Sequence, residues 1–222
     1  GVQIESKYGY LGYKAGSNGT AFVVGEGSEW NNSGSLYVGR YGEGTLNIDS
    51  GGVVSNADGY IGYSLFGSSG VGTVTVTGEG SQWNNSSSLY VGFDGGNGTL
   101  NISEGGAVNV AGTTILNNST LHIELSDSTS GPSLITDSLE LGGILELSLA
   151  DGFVPELGNS FDILDFNTVS GSFAEMNLPE LGDGLLWDTS QLLVDGTLLF
   201  MDRSPNVFAG GDVGPSGATH PW

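Results

Sequence analysis

Few side chains of this chain are spaced for chemistry. The basic residues number only 4, Lys7, Lys14, Arg40 and Arg203, and they are scattered. An enzyme that cuts acidic polysaccharides clusters its carboxylates or recruits Lys and Arg to hold substrate and move protons. Asp162 with Asp165, or Asp183 with Asp188, is spaced to pair as acid and base, but acidic turn residues are commonplace in a chain with 25 Asp plus Glu. His122 alternates with Leu121 and Ile123 and so faces solvent, while His220 sits far downstream, so no metal pair is expected. Neither a Ser-His-Asp arrangement nor a Gly-x-Ser-x-Gly elbow is present, and the chain reads as no enzyme.

Binding residues are the second class. Trp30 and Trp83 stand in matching settings, Ser28-Glu29-Trp30-Asn31-Asn32-Ser33 and Ser81-Gln82-Trp83-Asn84-Asn85-Ser86. Their rings have the amphipathic shape that stacks on sugars, yet the Gly-Ser-x-Trp-Asn-Asn-Ser context reads more readily as a corner, with Trp closing a coil and Asn bonding turn backbone. Asp94 and Asn97 with neighbouring carbonyls form a candidate calcium loop, without the regular nonapeptide of calcium-binding solenoids. Asn18-Gly19-Thr20 and Asn97-Gly98-Thr99 match the N-glycosylation sequon, a short pattern that chance also produces. No other cofactor is implied.

The elements that must carry these residues are set by a repeat. Gly25-Glu26-Gly27-Ser28-Glu29-Trp30 through Leu36-Tyr37-Val38-Gly39 matches Gly78-Glu79-Gly80-Ser81-Gln82-Trp83 through Leu89-Tyr90-Val91-Gly92 at an offset of 53 residues. Each unit contains a half-unit: Gly72-Thr73-Val74-Thr75-Val76 echoes Gly44-Thr45-Leu46-Asn47-Ile48, and Gly19-Thr20-Ala21-Phe22-Val23 is a diverged copy. The resulting spacing of 25 to 28 residues suits one coil of a β-solenoid, with short strands between glycine corners. Alternation sends Leu46, Ile48, Val74, Val76, Leu100 and Ile102 inward, with Leu36, Val38, Leu89 and Val91. Tyr10, Tyr37, Tyr60 and Tyr90, each two residues before a glycine, fall on the outside as a ladder. After about residue 112 the period blurs, although Leu121–Leu125, Leu139–Leu141, Ile144–Leu149 and Gly196–Phe200 still read as strands. The chain divides into a regular solenoid over 1–112, an irregular continuation over 113–202 and an extended Gly/Pro tail over 203–222. The fold class is all-β, a β-solenoid of about eight coils.

The pattern Gly-x-Gly-Ser-x-Trp, Leu-x-Val-Gly, Gly-Thr-Leu-x-Ile, carried twice between residues 10 and 112, resembles the repeats of type V (autotransporter) and PEP-CTERM-associated secreted proteins. The segment from Gly142 to Phe200 is similar to the end of an autotransporter passenger. The resemblance implies a secreted bacterial surface solenoid, extracellular or at the cell surface, with no catalytic residues.

Charge narrows the partners. A formal net charge of -21 offers no basic stripe for nucleic acid or an anionic membrane. No apolar run reaches the roughly 18 residues of a spanning helix, so membrane insertion is not expected. The chain opens on Gly1 with no signal-type segment and reads as a mature or excised piece. There is no Cys, so disulfides hold nothing together. The expected function is a structural subunit of an extracellular filament or surface matrix. Its subunits would stack head to tail, Val2 and Ile4 meeting Leu198 and Phe200 of a neighbour, while Val207, Phe208, Val213 and Trp222 of the tail fill grooves on that neighbour. The alternative is a monomeric adhesin or carbohydrate-binding stalk, using surface glycans as partners.

Overall fold

The computed structural model of the 222-residue chain describes residues 1–65, 70–117, 119–126, 131–182 and 184–202. The tail residues Val207, Phe208, Val213 and Trp222 lie outside the described residues, as do Asp183, Arg203 and His220.

Glycine corners and alternating apolar residues fold into rungs. The first is β1 (Gln3–Ser6), β2 (Gly9–Leu11) and β3 (Asn18–Val24), and the second β4 (Glu29–Asn32), β5 (Leu36–Val38) and β6 (Glu43–Asp49). The third is β7 (Val53–Asn56), β8 (Gly59–Tyr63) and β9 (Val71–Thr77), and the fourth β10 (Gln82–Asn85), β11 (Leu89–Phe93) and β12 (Asn97–Ser103). From the fifth rung two faces merge into one bent strand: β13 (Ala107–Leu116) precedes β14 (Ser119–Leu125), and β15 (Leu134–Leu141) precedes β16 (Ile144–Leu149). A register shift between Val110 and Thr113 makes that bend. Then come β17 (Ser160–Asp162), β18 (Leu164–Gly171), β19 (Glu175–Asn177), β20 (Leu185–Asp188) and β21 (Thr197–Asp202).

Every pairing between rungs is parallel, so this is the β-solenoid the repeat calls for. One face is a 7-stranded sheet, β3-β6-β9-β12-β14-β16-β19, and the remaining rung strands form an 11-stranded sheet that wraps the other two faces. Among the described residues the stack therefore has seven rungs, or about six turns, fewer than the eight coils expected. The difference lies at the end of the chain. Phe161 and Thr197–Phe200, which read as further coil strands, instead pair antiparallel in a 3-stranded sheet, β17-β21-β20.

The core is a set of columns, one residue per rung. Leu46, Val74, Leu100, Leu121 and Leu145 stack in register, as do Ile48, Val76, Ile102, Ile123 and Leu147. All are buried. At about 25 cal/mol per Å² of apolar surface, each such side chain stabilises the stack by about 1.5–3 kcal/mol. Leu36, Val38, Leu89 and Val91 are buried as alternation requires. The corner after each tyrosine strand is closed by a glycine at positive φ, Gly39 at 76° and Gly92 at 80° among them. A Cβ on Gly39 would run into the Val71 backbone of the next rung, so the tight turn and the close rung approach both require glycine there.

Candidate functional site

Three regions hold the side chains singled out by type and spacing. The first is the tryptophan corner. Trp83 is fully buried, and its Nε1 donates to Asn56 Oδ1 at 2.7 Å, while Asn56 Nδ2 donates to Asn85 Oδ1 at 2.7 Å. Trp83 therefore has no face for a sugar; it anchors an asparagine ladder inside the stack. Trp30 is half-buried near the first rung and donates to Ser6 Oγ at 3.2 Å, Ser6 standing where Asn56 stands two rungs on. Both tryptophans, and Asn32 and Asn85 two positions on, lie in strands rather than at corners, and these asparagines accept side-chain hydrogen bonds from Ser6 Oγ and Asn56 Nδ2 rather than bonding turn backbone.

The second is a cleft of about 680 Å³ between Glu79, Glu104, Glu124, Asp162 and Phe161. Burial, then Asp165 and Asp195, raise the pKa of Asp162. Asp188 is held low by hydrogen bonds from the backbone and side chain of Ser190, the signature of a turn cap. His122 faces outward on β14 and shares a hydrogen bond with Ser148 Oγ at 2.9 Å. Among the described residues no group of three or more His, Cys, Asp or Glu is placed to hold a metal ion. Asp94, at φ 51°, and Asn97 flank a turn.

The third is an aromatic face that gathers all 8 tyrosines. Tyr10, Tyr37, Tyr60 and Tyr90 stack at centroid separations of 5.2, 4.6 and 4.8 Å, with interplanar angles of 8° or less. This is the ladder the Tyr-x-Gly repeat called for, since in-register rungs bring identical outward positions to one rung spacing. A second column runs beside it. The residues three positions after each ladder tyrosine are Tyr13, Arg40, Tyr63 and Phe93, one per rung. Tyr63 and Phe93 lie parallel, 6° apart at 5.2 Å, yet at 82–89° to the ladder rings. The two columns therefore each stack on themselves along the axis and meet one another edge to face.

Arg40 takes the aromatic position of the second rung. Its guanidinium carbon sits 5.0–5.9 Å from the rings of Tyr10, Tyr13, Tyr37, Tyr41 and Tyr63. Cation–π attraction of about 0.5–2 kcal/mol per contact holds it there. Its Nε is buried with no hydrogen-bond partner among the described residues. Burial raises the pKa of Tyr37, Tyr60 and Tyr63, which keeps the phenols neutral far above physiological pH. The second column is hard to see in the sequence because only two of its four members are tyrosine; aligning the third residue beyond each ladder tyrosine brings it out.

The assembly residues are split. Val2 and Ile4 are exposed at the first rung, 69% and 53%. Leu198 and Phe200 are buried within their own chain, Phe200 packing on Trp187 at 4.4 Å and on Phe161 at 5.3 Å. Alternation along β21 turns these two inward and leaves Met201 outside, so they offer no surface to a neighbour.

A stretch of 104 residues is 40% identical to the uncharacterized lipoprotein YdeK of Escherichia coli (strain K12), covering 45% of this chain and 7% of that protein. No family model matches the chain, and no solved structure matches it.

Proposed function

We propose that the chain is a non-catalytic structural module of a bacterial surface assembly, which joins other solenoids through its two ends. One observation carries the reading. Among the described residues, every large apolar side chain left exposed, Val71 excepted, belongs to the first rung or to the segment from Val154 onward. The five rungs between carry only Val71.

The first rung makes the point residue by residue. Ile4 heads the column continued by Trp30, Val54, Trp83, Val108 and Leu134, and no described residue covers it. Phe22 and Val24 occupy outward positions that later rungs give to Asn47 and Asp49, Thr75 and Thr77, Asn101 and Ser103. Phe22 is 70% exposed. At the far end Leu186, Leu193, Val194 and Met201 are exposed on the closing segment. These replace Leu198 and Phe200 as the surface a first rung would meet. A contact between unlike ends propagates head to tail. The lipoprotein designation of the partial relative agrees with a place at the bacterial surface.

Restoring the polar pattern tests this. Phe22→Asn with Val24→Asp and Ile4→Lys should give monomers in sedimentation and remove filaments or higher oligomers from electron micrographs, with unchanged β-sheet circular dichroism. A wild-type chain that stays monomeric at high concentration, in salt and calcium sufficient to screen a charge of -21, removes the assembly reading.

A further inference from the structure

We propose that the aromatic face is a site of oxidative covalent modification, at which a peroxide-driven one-electron oxidant couples Tyr10 to Tyr13 through a carbon–carbon bond. This does not depend on assembly, since one chain carries both residues.

Three features lead there. The first is the gathering of the phenols. All 8 tyrosines lie on this face, and each ring has another tyrosine ring within 6.4 Å, so an electron vacancy left on any of them has a neighbour to pass to. The chain has no Cys, so no thiol intercepts it. The second is ring orientation. The bond that couples two phenols lies in the plane of both rings, so the edge of one ring must reach the other. Stacked rings offer faces instead, and Tyr37 and Tyr60, each covered on both faces, would have to leave the ladder. Tyr10 and Tyr13 already meet edge to face, 75° apart at 5.1 Å, and at 41% and 47% exposure they have room to turn. Tyr60 and Tyr63 repeat this spacing and contact two rungs on, at 5.4 Å and 89°, but Tyr60 is held between Tyr37 and Tyr90. Tyr8 lies farther from Tyr10, at 6.4 Å, and is tilted by only 37°.

The third is the fate of the proton, because a phenol gives up an electron readily only when its proton leaves too. The Arg40 guanidinium, 5.2 and 5.0 Å from the rings of Tyr10 and Tyr13, disfavours a radical cation there and favours the neutral phenoxyl radical. Burial holds the proton on Tyr37, Tyr60 and Tyr63. A vacancy therefore settles on the exposed first rung. Coupling balances as follows. Tyr10 and Tyr13 each pass one electron to the oxidant and the phenolic proton to water, leaving two phenoxyl radicals with spin on the ring carbons beside the oxygen. One such Cε of each ring joins the other, and the hydrogen on each joined carbon leaves as a proton while a proton from water returns to each oxygen. Two electrons and two protons are lost in all, and they reduce one hydrogen peroxide, with two further protons from the phenols' exchange with solvent conserved, so that peroxide and two C–H hydrogens become two waters.

The experiment treats the dilute full chain with a peroxidase and hydrogen peroxide, then reads dityrosine fluorescence and the masses of tryptic peptides. Lys7 and Lys14 bracket the site, so trypsin releases Tyr8–Lys14 as one peptide that holds both partners. In the wild-type chain this peptide should become lighter by two hydrogens, while the peptide that carries Tyr60 and Tyr63 should keep its mass in most molecules. Tyr13→Phe, which retains the ring and its packing, should abolish the mass change and most of the fluorescence, whereas Tyr8→Phe and Tyr63→Phe should preserve both. Oxidation in urea guards against a preference set by sequence spacing alone: the unfolded chain should lose the advantage of the first-rung pair over Tyr60 and Tyr63. An unshifted Tyr8–Lys14 peptide, a mass change that survives Tyr13→Phe or disappears in Tyr8→Phe, coupling only between chains, or the same preference in urea would overturn the proposal.

Discussion

The two ends of the stack present the same physical problem and solve it differently. A solenoid rung has unpaired backbone on each side and core side chains that need a neighbour above and below. At the last rung the chain supplies that neighbour itself. β20 and β21 fold back onto β17 as an antiparallel sheet; Ile163 N donates to Gly196 O at 3.1 Å, and Leu192, Leu198 and Phe200 are buried there, with Gly196 against Leu164 at the end of the column that Ile4 begins, while Met176 at the end of the Leu46 column is exposed. Trp187 seals the edge, its Nε1 donating to Pro179 O at 2.9 Å. At the first rung no described residue folds over Ile4 and Val2, which are exposed. The repeat dictates a stack but says nothing of how a stack stops; that is written in the non-repeating residues.

The comparison breaks or holds first on buried charge. Leu198→Asp should cost about 3 kcal/mol or more by placing an unpaired carboxylate under the cap, as should Ile102→Asp in the middle of the columns. Ile4→Asp at the open end should stay within about 0.5 kcal/mol, and so should Thr99→Asp on an outward position. Urea denaturation of the four variants reads this directly; an Ile4→Asp chain as unstable as Leu198→Asp would mean that the first rung is not open in solution.

Hydrogen bonding sharpens the contrast between a covered and an uncovered rung. Asn56→Ala removes the acceptor of Trp83 and the donor to Asn85, leaving a buried indole N–H unpaired, and should cost about 1–3 kcal/mol. Its counterpart Ser6→Ala sits at the half-open Trp30 and should cost under about 1 kcal/mol in the same assay.

A smaller difference is expected along the tyrosine ladder. Tyr60 stacks on two rings and Tyr10 on one, so Tyr60→Leu should lose about 1–3 kcal/mol and Tyr10→Leu about half as much, by thermal denaturation.

The smallest effect is a pH dependence beside the cap. Burial raises the pKa of Asp162 in the folded chain above its ordinary 3.8, so the folded state binds that proton more tightly than the unfolded chain does. The stability it contributes is present at pH below 3.8 and lost as pH rises through the folded value. Asp162→Asn should therefore match the wild type in acid and be slightly the more stable at neutral pH. A difference largest in acid would reverse the assignment.

Legibility tracked the repeat closely. Leu46, Ile48, Leu100 and Ile102 could be placed inside from alternation alone, because a period of two residues admits only two faces and one of them must be apolar. The Tyr10–Tyr37–Tyr60–Tyr90 ladder was equally readable. Trp30 and Trp83 were not fully so: sequence context favoured a structural role, but only burial separates the enclosed Trp83 from the half-open Trp30. Leu198 and Phe200 were read as an end surface because their strand pattern matches that of a further rung; antiparallel pairing with Phe161 and Trp187 encloses them, and no local pattern distinguishes the two outcomes.

Taken alone, then, the chain's sequence determined an all-β solenoid, its inward and outward residues, its glycine corners and its excess of acidic over basic residues. These rest on local rules, the two-residue period of a strand and the positive φ of glycine, repeated once per rung. Tertiary structure decided the number of rungs among the described residues, the antiparallel sheet that follows the last of them, and the meeting of Arg40 with five tyrosines from three rungs. Such contacts join residues far apart in the chain, and they form only once each rung has a neighbour on which to stack.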